Sequence, residues 1–280
     1  MRTLVEATAR DELPSLASRS RSTKAARDFV DGLTKSWLWM SLAMQDIKLR
    51  YRGSLLGPFW ITLGTTVTVA AMGILYARMF HMDVSSYLPF LTSGLVLWQF
   101  VSTLITESCS SFVAMSGIIH QIQLPYSVHV YRVVWRNLLV LAHNLIVIPP
   151  VLFLCGAHVD WHVAVIFPAI VLLALNGVWC GILLGMISAR YRDVPPIVTS
   201  FLQVIFFVTP IFWSPDLIGA WGPFVELNPW FAAIDVVMAP LVGKPVAPFS
   251  WYILLVTTVI GSGCTFLFFA RFRSRIAFWV

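Results

Sequence analysis

The sequence predicts an all-α, polytopic membrane protein with six transmembrane helices, and three observations lead there. Hydrophobic residues make up 58% of the 280 residues and charged residues 11%, whereas charged residues are about a quarter of a soluble globular domain. The mean hydropathy is +0.81. The apolar residues gather into six segments, at 55–79, 88–112, 129–154, 163–188, 194–213 and 250–270, of the length that crosses roughly 30 Å of hydrocarbon.

Residues 1–28 are rich in Ser, Arg and Ala and lack an apolar core of signal-peptide length. A mobile cytoplasmic tail without a cleaved signal is expected there, and 29–275 reads as one transmembrane domain without internal repeats. From Phe29 to Arg50 the chain predicts an amphipathic helix. Val30, Leu33, Trp37, Met40, Met44, Ile47 and Tyr51 recur at steps of three and four along one side, with Lys24, Asp28, Asp31, Lys35, Gln45 and Lys48 on the other. Such a helix lies along a membrane surface with its cations toward anionic headgroups. It runs through DIKLRYRGSLLGPFW, Asp46 to Trp60, into the first span, where no charge appears from Leu55 to Ala77. Pro58 sits there at a first turn that tolerates the missing N–H.

The basic residues orient the spans. Ten of the 19 Lys and Arg precede Leu55, Arg271, Arg273 and Arg275 follow the last span, and only Arg78 and Lys244 fall on the opposite side. Both termini are therefore expected in the cytoplasm. Asp83, Asp160, Asp216, Glu226 and Asp235 lie toward the other side.

Two connections predict structure of their own. FVAMSGIIHQIQLPYS, between the second and third spans, reads as a short cytoplasmic surface helix with Ile118, Ile119 and Ile122 as its apolar contacts. Between the fifth and sixth spans, Ser214 to Ser250 is too apolar and proline-rich for an ordinary loop. Asn228 can cap and Pro229 can open a helix, PWFAAIDVVMA, with Phe231, Ile234, Val237 and Met238 on one face. Re-entrant helices dipping into the outer half of the membrane are expected, with an interfacial helix as the alternative.

Chemistry is sparse. The chain holds no GxxxxGK[ST], so it cannot cradle a nucleotide triphosphate in a P-loop, and any uphill work draws on a partner or an ion gradient. Glu107 is the one acid well inside a span, about 19 residues and hence roughly 28 Å from the outer end of its segment. Arg132 and Arg136 lie at a similar level on one helical face, so a structural ion network is expected in preference to a proton relay. Cys109, Cys155, Cys180 and Cys264 are scattered and read as packed thiols. His158, Asp160 and His162 fit a solvated loop as well as a metal site, and neither a metal nor a cofactor is assigned to the chain.

DIKLRYRGSLLGPFW, the uncharged linker ending QLP, the ARYRDV after the fourth span and the LNPWFAAID after the fifth together resemble the membrane subunits of bacterial polysaccharide-exporting ATP-binding-cassette transporters. These are the permeases of O-antigen, capsule and teichoic acid export, and the likeness covers about residues 30–275. It implies a homodimer of six-span subunits in the bacterial inner membrane, joined to two copies of a separate ATPase that binds the ATP and Mg. The implied substrate is an undecaprenyl-diphosphate-linked glycan. By the same likeness, Ile118, His120 and Gln121 in the linker and Arg190, Arg192 and Asp193 in the next cytoplasmic turn meet the ATPase. Pro223 to Met238 forms the outer gate, and the first and fifth spans line the channel. The family often carries basic residues in the linker where this chain has His120, Gln121 and Gln123.

A channel that lets a sugar chain slide needs flat apolar faces, for which Phe59, Trp60, Phe206, Phe207, Phe212 and Trp213 are the candidates; an interfacial belt would use the same rings. Arg50 and Arg52 are candidate anchors for the lipid diphosphate, because a guanidinium fork matches phosphate oxygens, and cytoplasmic-side anchoring explains them too. An ion-driven carrier, a membrane-embedded transferase and a lipid or drug exporter are the rival readings. The first lacks midplane acids and the second lacks clustered acids or histidines.

Overall fold

The computed structural model describes residues 20–55, 57, 59–156 and 161–280, and these form helices joined by short turns with no strand among them. The tail at 1–19, Pro58, and His158 with Asp160 lie outside the described residues.

The amphipathic segment starts earlier than its pattern suggests and is bent. Helix α1 covers 20–34 and α2 covers Ser36–Arg50, with Lys35 between them at φ −89° and ψ 36°. Residues 20–28, expected as tail, are thus the opening turns of α1. The Trp39 indole N–H donates across the bend to the Gly32 carbonyl at 3.2 Å. Val30, Leu33, Trp37, Met40 and Met44 remain exposed, as a lipid-facing stripe would, while Asp28 is buried against the bundle.

Helix α3 (Phe59–Met79) leads to α4 (Val84–Cys109), the most enclosed of the long helices. A 3-10 turn and α5 (Ser116–Gln121) form the connection to α6 (Ser127–Asn144), which continues through another 3-10 turn into α7 (Ile148–Leu154). Helix α8 (Ile166–Arg190) returns, followed by α9 (Val194–Val208), α10 (Gly222–Glu226) and α11 (Pro229–Leu241). The chain closes with α12 (Pro248–Phe272), a 3-10 turn over Arg273–Arg275, and α13 (Ile276–Trp279).

Among the described residues, five stretches are long and apolar enough to cross a membrane: Phe59–Met79, Val84–Cys109, Ser127–Leu154, Val163–Arg190 and Pro248–Trp279. The segment expected as the fifth of six spans, 194–213, differs. Its helix α9 has 15 residues, about 22 Å at 1.5 Å per residue. The cause is local, because Pro210 lacks an N–H and disfavours a helical residue before it. Thr209 is accordingly extended, at φ −91° and ψ 133°.

Packing concentrates on α8. Gly177, Gly181 and Gly185 stand at steps of four, and a Cβ on them would meet Leu104 at 2.7 Å, Val130 at 2.6 Å and the Ser111 hydroxyl at 2.4 Å. Small residues at this spacing let α4 and α6 approach closely. Helix α11 is enclosed all round, every residue from Phe231 to Leu241 being buried. The single apolar face expected of it understates a helix that is apolar on nearly every side. Asn228 caps it, accepting the Trp230 N–H at 2.9 Å and donating to the Thr209 hydroxyl at 3.1 Å. Helix α9, by contrast, buries only Leu202.

Candidate functional site

A groove of about 670 Å³ runs between α4 and α9, and the two helices are antiparallel along it. At one end lie Trp98, Phe206 and Phe207; the walls carry Ser102, Thr103, Thr106, Thr199 and Gln203; Glu107 lies at the other end. The groove therefore offers ring faces at one end and hydroxyl and amide groups beyond. Such a surface contacts both the C–H faces and the hydroxyls of a polar chain without a fixed charge along most of its length.

The six aromatic candidates separate into two groups. Phe206 stacks beside Trp98, Phe207 and Phe212 at centroid distances of 5.7, 5.4 and 5.5 Å. The Phe212 carbonyl accepts the Tyr87 hydroxyl at 2.5 Å, and the Trp213 indole N–H donates to the Phe207 carbonyl at 3.1 Å, closing the end of α9. Phe59 and Trp60 stand apart at the start of α3, both more than half exposed, with Phe59 edge-on to His143.

Glu107, Arg132 and Arg136 meet at the groove's charged end, together with two groups from the amphipathic helix. Glu107 accepts from Arg136 Nη2 at 2.7 Å, Asn137 Nδ2 at 2.8 Å and Arg50 Nη2 at 2.6 Å. Asp46 accepts from Arg132 through both oxygens and from Arg136 Nη1 at 2.7 Å. Asp46 was invisible as a partner in the sequence, where an acid on an amphipathic helix reads as solvated. Its place at i−4 from Arg50 points to Arg50, which pairs with Glu107 instead, so no local signal marked Arg132 and Arg136 as its partners. Arg50, a candidate diphosphate anchor, is thus engaged by Glu107, with its side chain 45% exposed. Arg52 is exposed in the turn that follows α2.

Enclosure alone would raise the pKa of Asp46, but the bonds and charges of Arg132 and then Arg136 outweigh it and hold the carboxyl below 3.8. Folding then favours the ionised form, so its contribution to stability is full above 3.8 and is lost as pH falls through the lowered value. Melting in detergent is expected to drop more steeply as pH falls below about 4 in the natural chain than in Asp46→Asn. Parallel curves would show that the carboxylate contributes nothing.

The coupling candidates fall near the start of α6 and the end of α8. The His120 ring lies 2.7 Å from the Ser116 carbonyl and 3.1 Å from the Ala277 carbonyl, joining α5 to α13. Arg190 lies over the Trp279 ring at 5.5 Å. Ile118 is half-buried, and Gln121, Arg192 and Asp193 are exposed. The short C-terminal helix, absent from the sequence reading, is what brings His120 and Arg190 onto one element.

Asp28 ties this surface together. Its side chain is fully buried, accepts the Ser127 N–H at 3.0 Å and the Tyr126 N–H at 3.2 Å at the start of α6, and pairs with Arg273 at 2.7 Å. No side chain next to α6 caps it, so a carboxylate from α1 satisfies its orphan donors and complements the positive end of its dipole.

The chain is 28% identical over 211 residues to the O-antigen export system permease protein RfbA of Myxococcus xanthus, covering 70% of this chain and 79% of that protein. It is 25% identical over 189 residues to a protein of the same name from Klebsiella pneumoniae, covering 65% of this chain and 70% of that one. The family model described as ABC-2 type transporter matches residues 38–242, a stretch that includes α4, the groove, the ion network and α11. The chain belongs to the ABC-2 type transporter family.

Proposed function

We propose that this chain is the transmembrane subunit of an ATP-driven exporter that moves a lipid-linked O-antigen polysaccharide from the cytoplasm across the bacterial inner membrane. Two copies would form the path and two copies of a separate ATPase would drive it. The observation that carries the reading is the groove between α4 and α9, with rings at one end and uncharged polar groups along its walls, in a chain similar to two proteins named for O-antigen export. The nearly uncovered α9 leaves a face for the second copy. The joined surface of α5, α13 and the end of α8 is where the ATPase would dock, and Arg52 would meet the lipid diphosphate with Arg50.

In this reading both termini are cytoplasmic, α9 with the loop after it completes a sixth crossing, and α11 is re-entrant. Residues 29–275 act as one domain. The sequence holds no P-loop motif, which supports a reading in which the partner carries the hydrolysis.

The test is reconstitution in liposomes with a cysteine in place of Gln203 and the native cysteines replaced. Export is expected only with the ATPase and ATP. The Gln203→Cys thiol should react with a water-soluble maleimide at rest and be shielded when glycan is trapped in transit. Export by this chain alone without nucleotide would overturn the reading, and a thiol that never labels would remove the groove from the path.

A further inference from the structure

Away from the groove, a cavity of about 510 Å³ opens between α1 and the end of α12, lined by Arg21, Lys24, Arg271, Arg273 and Arg275 with Ser274. Five cations from two segments some 250 positions apart converge on it. Only Arg273 has an acidic partner among the described residues, and that partner, Asp28, is buried behind it. Arg271 and Arg275 both lie over the Phe272 ring, at 5.7 and 5.6 Å, and Arg273 over the Tyr126 ring at 5.4 Å. These rings hold the guanidinium groups in place before any ligand arrives, which limits the entropy lost on binding. Coulomb repulsion among the other four has no acidic partner to offset it among the described residues and would be relieved by an anion.

We infer that this cavity is a binding site for the phosphate headgroup of an anionic phospholipid of the cytoplasmic leaflet. The geometry favours a lipid over a soluble phosphate. One turn before Arg271, Leu267 is 69% exposed on the outer side of α12, and Val259 and Ile260 are 70% and 60% exposed further along. A headgroup held by the arginines would thus leave its acyl chains beside an apolar helix surface. Guanidinium groups and a lysine supply the charge-assisted donors that phosphate oxygens require. Occupancy would tie α1 to α12 beside the Asp28–Arg273 pair and so steady the cytoplasmic surface formed by α5 and α13. The site is separate from the groove and rests on the proposed reading only for the cytoplasmic orientation of both termini.

The experiment compares the full chain with Lys24→Gln/Arg271→Gln/Arg275→Gln, which spares Arg273, and with a control of equal charge, Arg27→Gln/Lys35→Gln/Lys48→Gln. Each is titrated in zwitterionic detergent with phosphatidylglycerol, and retained lipid is read by native mass spectrometry. A cation near an anionic surface changes affinity about fivefold, so the triple variant is expected to bind on the order of a hundredfold more weakly. The control should bind as the natural chain does. Inorganic phosphate should not displace the lipid. Equal loss in the control would reduce the effect to general surface charge, and full displacement by inorganic phosphate would identify a soluble anion as the ligand; either result overturns the proposal. Melting without lipid checks that the variants fold, and if the triple variant does not, Arg275→Gln alone must still weaken phosphatidylglycerol about fivefold.

Discussion

Asp28→Ala is expected to cost about 3–5 kcal/mol of stability, the range for removing one partner of a buried ion pair. Two losses combine in it. Arg273 is left without its acid and the Tyr126 and Ser127 N–H groups lose their acceptor, while the Ser127 and Tyr131 hydroxyls still donate to the Asp28 and Phe29 carbonyls of α1. The melting temperature in detergent should fall accordingly. A double variant, Asp28→Ala with Arg273→Met, should lose less than the two single changes added together, because the uncompensated charge is gone. Additive losses would mean that the two side chains do not interact, whatever their distance.

Glu107→Ala should be the next most damaging change, at about 2–3 kcal/mol, below the fully buried case because its carboxylate retains some exposure. Arg50 and Arg136 would lose their shared acceptor, and of the ion pairs that tie α2 to the bundle only those of Asp46 would remain beside the packing of Trp39 on Tyr131 and Trp135. A structural role predicts that stability and export fall together and that Glu107→Gln, which keeps the bond to Asn137, recovers part of the stability. Normal melting with abolished export would instead make Glu107 a proton-transfer group and end the structural account.

The level of Glu107 and of Arg132 and Arg136 was legible in the sequence, because helical rise converts residue counts into depth. Their juxtaposition follows from that depth and from one shared helical face. The long helices were legible for the same reason, each being an uninterrupted apolar run. Asp46 and Asp28 were not, since an acid on an amphipathic helix carries no mark of whether it faces water or a distant arginine. The bend at Lys35 is bridged by the Trp39 indole bond to the Gly32 carbonyl, and no Gly or Pro at Lys35 marked it. The ending of α9 was readable in principle from Pro210, but a continuous apolar run through it masked the break. Of the candidate channel rings, hydropathy could not separate those that cluster with Trp98 from Phe59 and Trp60, because all of them are apolar and near helix ends.

The bond between Asp28 and Arg273 joins positions 245 residues apart. At ordinary synthesis rates of roughly 5–20 residues per second, Arg273 follows Asp28 from the ribosome by tens of seconds. Throughout that interval α1 can engage the start of α6 but not the arginine, so its docking is provisional and its carboxylate is only half neutralised. Final registration of α1 therefore waits for the turn that follows α12. Quality control acting on the finished chain can then sense a C-terminal truncation at the N-terminus, where α1 would stay loosely attached and open to proteolysis.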